Sequence, residues 1–196
     1  SLENVTITGN SASIRGGGIF CWDNSSPTLT NVTISGNSAD DGGGIYAKGS
    51  VSLIEDVVIS GNSADYLGGG ISLSGGNVTL TNVTLAGNTD STSGHGQDNV
   101  IYVGWGATVT LTNVIVWGNT PNGIRLGTGE TINVNYSLIG GGQASIAVNG
   151  AGSLVNWGQG NVTADPLFVD AGNGDFTLQA GSPAINAGDP ASSPDP

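Results

Sequence analysis

The chain has 196 residues with a formal net charge of −12, and only 9% of the residues are charged. Only three residues are Lys or Arg, which argues against nucleic acid and anionic lipid as partners, because both are bound mainly through these residues. The 35 Gly residues show no Gly-X-Y period, so collagen is excluded. No apolar run reaches the roughly 18 residues of a membrane-spanning helix.

One short stretch, Asn31-Val32-Thr33-Ile34-Ser35-Gly36-Asn37, recurs along the chain. Copies begin at residues 4, 56, 82 and 113, and a degenerate copy begins at residue 136. A repeat of this length indicates stacked units that each need a neighbour to bury their apolar face. Because Ser1 falls within a repeat, we expect the chain to be a mature product or a fragment.

Each repeat is predicted to contain three short strands. In the first strand, Val32 and Ile34 point to one face because side chains alternate along a strand. The second strand follows a glycine triplet, and its inward residues are Ile19, Ile45, Ile71, Ile101 and Ile124. Its outward residues are Phe20, Tyr46, Ser72, Tyr102 and Arg125. The inward residues of the third strand are Leu29, Ile54, Leu80 and Leu111.

These strands predict an all-β fold, a parallel β-helix (solenoid) of about six coils with three short strands per coil. Two rows of residues at the corners are predicted to form side-chain ladders between coils. One row comprises residues 31, 56, 82 and 113, and the other comprises residues 10, 37, 62, 88 and 119. We expect Asn82 to be a buried rung and Thr84 to face solvent.

The repeat is regular over residues 1–142 and decays afterwards. We predict a last irregular coil and a C-terminal cap over residues 143–190, and a linker stub over residues 191–196. An open coil end exposes unpaired strand edges, so the apolar residues of this segment, Phe168, Phe176, Leu178 and Ile185, are expected to cover it. End-to-end self-association through open ends is a further expectation.

The pairing of Gly-Gly-Gly-Ile with Ile-Ser-Gly-Asn-Ser-Ala resembles the right-handed parallel β-helix repeat proteins of bacterial surfaces. It also resembles the repeats of polymorphic outer-membrane adhesins, although Ile34, Ile59 or Leu85 stands where those repeats carry Phe. The segment from Asp165 to Gly188 is similar to the end of secreted β-helix proteins with variable C-terminal anchors. The resemblance implies right-handed coils and a secreted or cell-surface location. It leaves activity open, because such folds serve lyases, hydrolases, adhesins and structural proteins.

Acidic residues precede the second strand in successive repeats, and coil stacking is expected to bring them to one edge. They are Asp40, Asp41, Asp65, Asp90 and Asp98. Clustered carboxylates can bind a hard cation such as Ca²⁺, and a pair of them can act in acid–base catalysis. They can also be solvated loop residues without a ligand. Ca²⁺ is therefore the one cofactor that the sequence suggests, and none is required.

Aromatic residues form a second candidate site on the outer side of the second strand. They are Phe20, Trp22, Tyr46, Tyr102 and Trp105. Flat rings stack on sugar rings and tolerate water at their edges, so this row predicts a binding surface for a polysaccharide or a cell-surface protein. The alternative is that the rings pack on one another across adjacent coils.

Three short motifs of polygalacturonase-type glycosidases occur as Asp40-Asp41, Asn88-Thr89-Asp90 and Gly94-His95-Gly96. Their order differs from that family, in which the paired Asp lies between the other two. The leading hypothesis is therefore a non-enzymatic extracellular module with a structural or adhesive role. A polysaccharide lyase or glycoside hydrolase, and a Ca²⁺-dependent carbohydrate-binding module, are the alternatives.

Overall fold

The computed structural model of the protein describes residues 1–23, 25–91, 99–121 and 123–192, without the side chain of Val51. The strands are β1 Leu2–Thr8, β2 Ile19–Cys21, β3 Thr28–Ser35, β4 Ser38–Asp41, β5 Ile45–Ser60, β6 Ser63–Leu67, β7 Ile71–Ala86, β8 Thr89–Asp90, β9 Ile101–Gly104, β10 Thr108–Thr112, β11 Ile115–Trp117, β12 Ile124–Leu126, β13 Thr131–Asn135, β14 Leu138–Ile139, β15 Ile146–Val148, β16 Leu154–Trp157, β17 Phe168–Asp170 and β18 Asp175–Leu178. The helical segments of the described chain are two 3-10 turns, Gly142–Ser145 and Ala171–Asn173. No helix within the described ranges is long and apolar enough to cross a membrane.

Parallel pairing between successive coils organises the strands. The longest path runs β1-β3-β5-β7-β10-β13-β16 within a sheet of 13 strands, and each strand pairs in parallel with its equivalent in the neighbouring coil. The stack has about six coils. The predicted parallel β-helix is therefore confirmed.

The core lies inside the coils and consists of stacked aliphatic rows. Ile45 pairs with Ile19 on one side and Ile71 on the other, and the row continues through Ile101 and Ile124. A second row pairs Leu29, Ile54, Leu80 and Leu111 in the same way. Ile45 and Ile54 are only 2% and 3% exposed. The inward positions predicted from the two-residue alternation are confirmed for both rows.

The corners differ from the prediction of three separate strands. Asn31, Asp56, Asn82 and Asn113 each take a left-handed backbone with φ between 53° and 57°, which Asn and Asp tolerate better than most residues. Such a residue turns the chain from the third strand to the first without breaking the pairing, and Gly49 or Gly75 does the same between the second and third strands. The three strands therefore fuse into β5 and β7, which have 16 residues each. The segment expected to be an acidic loop forms an additional parallel sheet, β4-β6-β8.

The buried ladder is the row of Asn37, Asn62, Asn88 and Asn119, with Asn10 as its exposed first rung. The Asn62 side chain donates from Nδ2 to Oδ1 of Asn88 at 2.9 Å and to the carbonyl of Ile34 at 2.9 Å. Gly44, the third glycine of its triplet, leaves room for the Asn62 side chain, because a Cβ there would lie 3.2 Å from Asn62 Nδ2 and 2.6 Å from the carbonyl oxygen of Gly70. Asn62 and Asn88 are fully buried.

The other predicted ladder lies at the surface. Asn82 donates to Asp56 Oδ1 at 2.9 Å and accepts from Asn113 Nδ2 at 2.9 Å, but its side chain is exposed. The expectation that Asn82 is a buried rung is therefore wrong. The left-handed corner directs this row outwards, whereas the Gly-Asn corner after the first strand directs Asn62 inwards.

The coil pattern continues beyond residue 142, because β15 pairs with β12 and β16 pairs with β13. The following segment forms the antiparallel hairpin β17-β18, in which the rings of Phe168 and Phe176 meet edge to face at 5.2 Å. The chain then folds back along the side of the coils, where the Asp189 N–H donates to Asn113 Oδ1 at 2.7 Å. Ile185 is 45% exposed rather than covering, and residues 193–196 of the expected linker lie outside the described part.

Candidate ligand-binding surface

The outward side of the second strand carries one row of side chains along the helix axis. Register pairs place Phe20 beside Tyr46, Tyr46 beside Ser72, and Ser72 beside Tyr102. Neighbouring residues such as Ile45 and Ala47 belong to the core, so the alternation that predicted this row holds. Exposure along the row is uneven, however, and it decides which rings can meet a ligand.

Tyr46 does not offer a binding surface, because it is only 3% exposed. Its ring stacks on Phe20 at 5.6 Å with an interplanar angle of 16°, and the Arg15 guanidinium lies 5.0 Å from its centroid. The expectation that Tyr46 is an exposed ligand contact is therefore wrong. Alternation along a strand predicts which way a side chain points, but not how much of that side chain the neighbouring coils bury.

Phe20 and Trp22 form an exposed aromatic pair at the N-terminal end of the row. Their ring centroids are 5.6 Å apart at an angle of 32°, and the side chains are 49% and 44% exposed. The Lys48 ammonium lies 4.0 Å from the centroid of the Trp22 ring. This cation–π contact holds the indole in place and puts N–H donors beside it.

Tyr102 and Trp105 form a second pair further along the axis. Their rings meet edge to face, with centroids 5.9 Å apart and an angle of 74°. Tyr102 is half-buried, and burial, followed by the nearby Glu130 carboxylate, raises the pKa of its hydroxyl. Trp105 is 67% exposed. We call Phe20, Trp22, Tyr102 and Trp105 the aromatic surface.

A buried carboxylate that the sequence did not reveal supports the turn at Trp105. Glu130 is fully buried, and its Oε1 accepts from the Gly106 N–H at 3.3 Å while its Oε2 accepts from Ser153 Oγ at 2.8 Å. The sequence does contain a signal for this burial. Glu130 immediately precedes β13, just as Ala107 immediately precedes β10. That equivalence marks an inward position, and a charged residue there needs buried partners.

The acidic residues do not stack in one row. Asp90 pairs with Ala64, and Ala64 pairs with Ala39, so Asp90 is out of register with Asp40. Asp90 is only 5% exposed, and its Oδ2 accepts from the backbone N–H groups of Gly68 at 3.1 Å and Asn99 at 3.2 Å. Its role is therefore to hold the loop before the second strand. Asp98 lies outside the described residues.

Asp40, Asp41 and Asp65 line a shallow depression together with Ile14 and Tyr66. Burial raises the pKa of Asp41, although Arg15 donates to its Oδ2 at 3.2 Å and opposes the shift. Asp40 and Asp65 are exposed. Over the described ranges, no three His, Cys, Asp or Glu side chains come together in a way that could hold a metal ion.

Residues of the glycosidase-like motifs also make structural contacts. Asn88 is a rung of the buried ladder, with its Nδ2 donating to Asn119 Oδ1 at 3.0 Å, and Asp90 binds backbone amides. The third motif, which contains His95, lies outside the described residues. The motif Asn88-Thr89-Asp90 therefore has a structural role in the coil.

Comparison with known families agrees with this architecture. Residues 17–186 match the family described as right handed beta helix region, which covers most of the chain. The protein therefore belongs to the right-handed β-helix family. Residues 4–21 match the Chlamydia polymorphic membrane protein repeat, which confirms the resemblance to such repeats. No curated protein and no solved structure matches the chain.

Proposed function

We propose that this protein is a non-enzymatic structural and adhesive module of a bacterial surface, which binds a glycan or a partner protein through the aromatic surface. The exposure of Phe20, Trp22 and Trp105 carries the proposal. Tyr and Trp provide contact area at low entropic cost and dominate binding hot spots. Rings held on a rigid coil lose little further freedom when a ligand binds.

The family matches support the setting. The match at residues 4–21 is to a repeat of polymorphic membrane proteins, and that likeness supports a surface or secreted location. A rod of stacked coils separates its ends and presents side chains in fixed rows, which suits a protein that displays a binding surface away from a cell. End-to-end association is compatible with this role, since Val155 and Trp157, which continue the inward rows of Ile132 and Val134 on β16, are only partly buried.

The test compares two variants of the whole chain. A Phe20→Ser/Trp22→Ser/Trp105→Gly variant removes exposed rings, and a Leu53→Ser/Trp117→Ser variant removes apolar side chains from other faces. Both are screened against a glycan array and bacterial and host cell surfaces, with and without a calcium chelator. We expect loss of binding in the first variant and retention in the second. Equal binding by the two variants would contradict the proposal.

A hydrolytic or eliminative activity is the second candidate, and Asp41 favours it. Its carboxyl has a raised pKa and lies in a depression beside Asp40 and Asp65, an arrangement that acid–base chemistry on sugars can use. An assay for new reducing ends and for unsaturated products on acidic polysaccharides tests it. Turnover that disappears in Asp41→Asn would favour this candidate over the binding module.

A further inference from the structure

Trp105 occupies a backbone position that the two preceding coils give to glycine. Ser74 pairs with Gly104 and Lys48 with Ser74, so the next residues, Gly49, Gly75 and Trp105, are equivalent. All three are left-handed, with φ of 60°, 76° and 56°. This conformation suits glycine, and it is strained for a bulky side chain. The repeat therefore offers an unstrained residue at this corner, and Trp105 replaces it.

The strained residue is also conspicuously exposed. At 67%, Trp105 leads the exposed large apolar side chains of the described chain. Neither burial of the indole nor local backbone preference explains a tryptophan here. The turn is nevertheless fixed, because the fully buried Glu130 accepts from the Gly106 N–H at 3.3 Å. Strained residues held by their surroundings often mark ligand contacts.

Trp22 and Trp105 lie along one corner of the coil. Cys21, Ala47, Leu73 and Val103 pair in succession, so Trp22 is equivalent to Gly104, the residue before Trp105, which lies three coil steps away. At about 4.8 Å per step, the two indoles are separated by roughly 14 Å along the axis. Between them lie Lys48, Ser74 and Gly75, which place no other ring in the way.

We propose that the ligand of the aromatic surface is a linear, uncharged polysaccharide that lies parallel to the helix axis and stacks on both Trp22 and Trp105. This inference rests on the proposed glycan-binding function. The apolar C–H faces of successive sugar rings can stack on the two indoles, while the Lys48 ammonium donates hydrogen bonds to hydroxyl groups between them.

The charges of the protein disfavour acidic and basic polysaccharides. A net charge of −12 repels an acidic chain over long range. The Lys48 ammonium, which lies 4.0 Å from the Trp22 ring centroid, repels a basic chain at the binding surface itself. A neutral chain meets neither penalty. The fixed distance between two platforms further favours an unbranched chain over a compact branched glycan.

Unbranched β-linked gluco- and manno-oligosaccharides, from the disaccharide to the octasaccharide, are the probes. Binding to the whole chain is measured by calorimetry, with polygalacturonate and chitosan as charged comparisons. We expect affinity to rise at least about tenfold at the length that first reaches both indoles, because the second contact becomes intramolecular. We also expect binding to be insensitive to salt.

Three variants separate the contributions. Trp105→Gly restores the residue of the two preceding coils, so it should melt at or above the wild-type temperature and lose the length-dependent step. Trp22→Ser should lose the same step, and Trp117→Ser, on another face, should keep it. Because Trp105→Gly relieves strain, a loss of binding there cannot be attributed to unfolding.

The outcomes distinguish this inference from the function on which it rests. Wild-type binding without a length step, or preference for a charged polysaccharide, overturns the inference and leaves glycan binding standing. A length-dependent rise in affinity that survives in Trp105→Gly also overturns the inference. Failure of the wild-type chain to bind any glycan, cell surface or protein overturns both.

Discussion

Asn37 and Asn62 are joined by two hydrogen bonds to a single oxygen. The backbone N–H of Asn37 donates to Asn62 Oδ1 at 3.0 Å, and Asn37 Nδ2 donates to the same atom at 2.9 Å. Both residues are buried. The amide side chain thus closes the corner of one coil and ties it to the next, where the strand ladder is interrupted.

The first prediction follows from this pair. Asn62→Ala leaves the Asn37 donors and the Ile34 carbonyl without their partners in a buried site, and each such group costs about 1–3 kcal/mol. We expect a loss of at least about 3 kcal/mol in urea unfolding. Asn82→Gly removes a rung of the exposed ladder, keeps the left-handed backbone without strain, and should cost less than about 1 kcal/mol. Similar losses for the two variants would show that burial does not separate the ladders.

A second prediction concerns the aliphatic rows. Ile45→Ala creates a cavity between the side chains of Ile19 and Ile71 and should cost about 2–5 kcal/mol. Leu53, which is 40% exposed on an outward position of the same strand, provides the control. Leu53→Ala should cost within about 1 kcal/mol. Thermal unfolding of both variants measures the difference, and a cost for Leu53→Ala that matches Ile45→Ala would refute the register of β5.

The third prediction is that alanine substitutions at two serines on β5 change the stability in opposite directions. Ser50 is fully buried and its Oγ donates to the Lys48 carbonyl at 3.1 Å, so Ser50→Ala should destabilise by about 1 kcal/mol. Within the described part of the chain the buried Oγ of Ser52 has no hydrogen-bond partner, and Ser52 pairs with Val78. Ser52→Ala removes the desolvation cost of this hydroxyl and should stabilise by about 1 kcal/mol. Denaturant midpoints compared at constant slope report both changes, and destabilisation by Ser52→Ala would point to a partner for that oxygen.

The fourth prediction concerns alkaline pH and Tyr102. Burial raises the pKa of its hydroxyl in the folded protein above the ordinary value of 10.0. Above that value the unfolded chain loses the tyrosine proton first, so unfolding becomes more favourable as pH rises towards the pKa of the folded state. Tyr102→Phe cannot ionise and should lose less stability over the same interval. Melting temperatures measured from neutral pH upwards test this, and parallel curves for both proteins would exclude a contribution from Tyr102.

The core was predictable because it depends on local alternation. Ile45 follows a glycine triplet at a repeated distance, and a period of two places it inside. The Asn residues were also recognisable as ladders, but Asn62 and Asn82 look alike in the sequence. Their burial differs because one corner is a Gly-Asn pair and the other is a single left-handed residue, a distinction that requires the backbone.

The binding surface was less predictable because it depends on cover from adjacent coils. Tyr46 and Phe20 share an outward row, yet stacking buries the first and leaves the second half exposed. Glu130 was missed because the third-strand pattern was not extended beyond Leu111, which would have placed Glu130 at the inward position of Ala107. Its meaning depends on Ser153 and Gly106, which are distant or unremarkable in the chain.

The asparagine ladder also gives the protein an adjustable length. Each rung from Asn10 to Asn88 donates from Nδ2 to the Oδ1 of the next coil, as Asn10 does to Asn37 at 3.1 Å and Asn62 does to Asn88 at 2.9 Å. Since every rung makes the same bond, removing residues 37–61 would bring Asn10 to Asn62 with an equivalent acceptor. Duplication or loss of whole repeats can therefore tune the reach of the rod during evolution, whereas a single-residue insertion would disturb every row beside it.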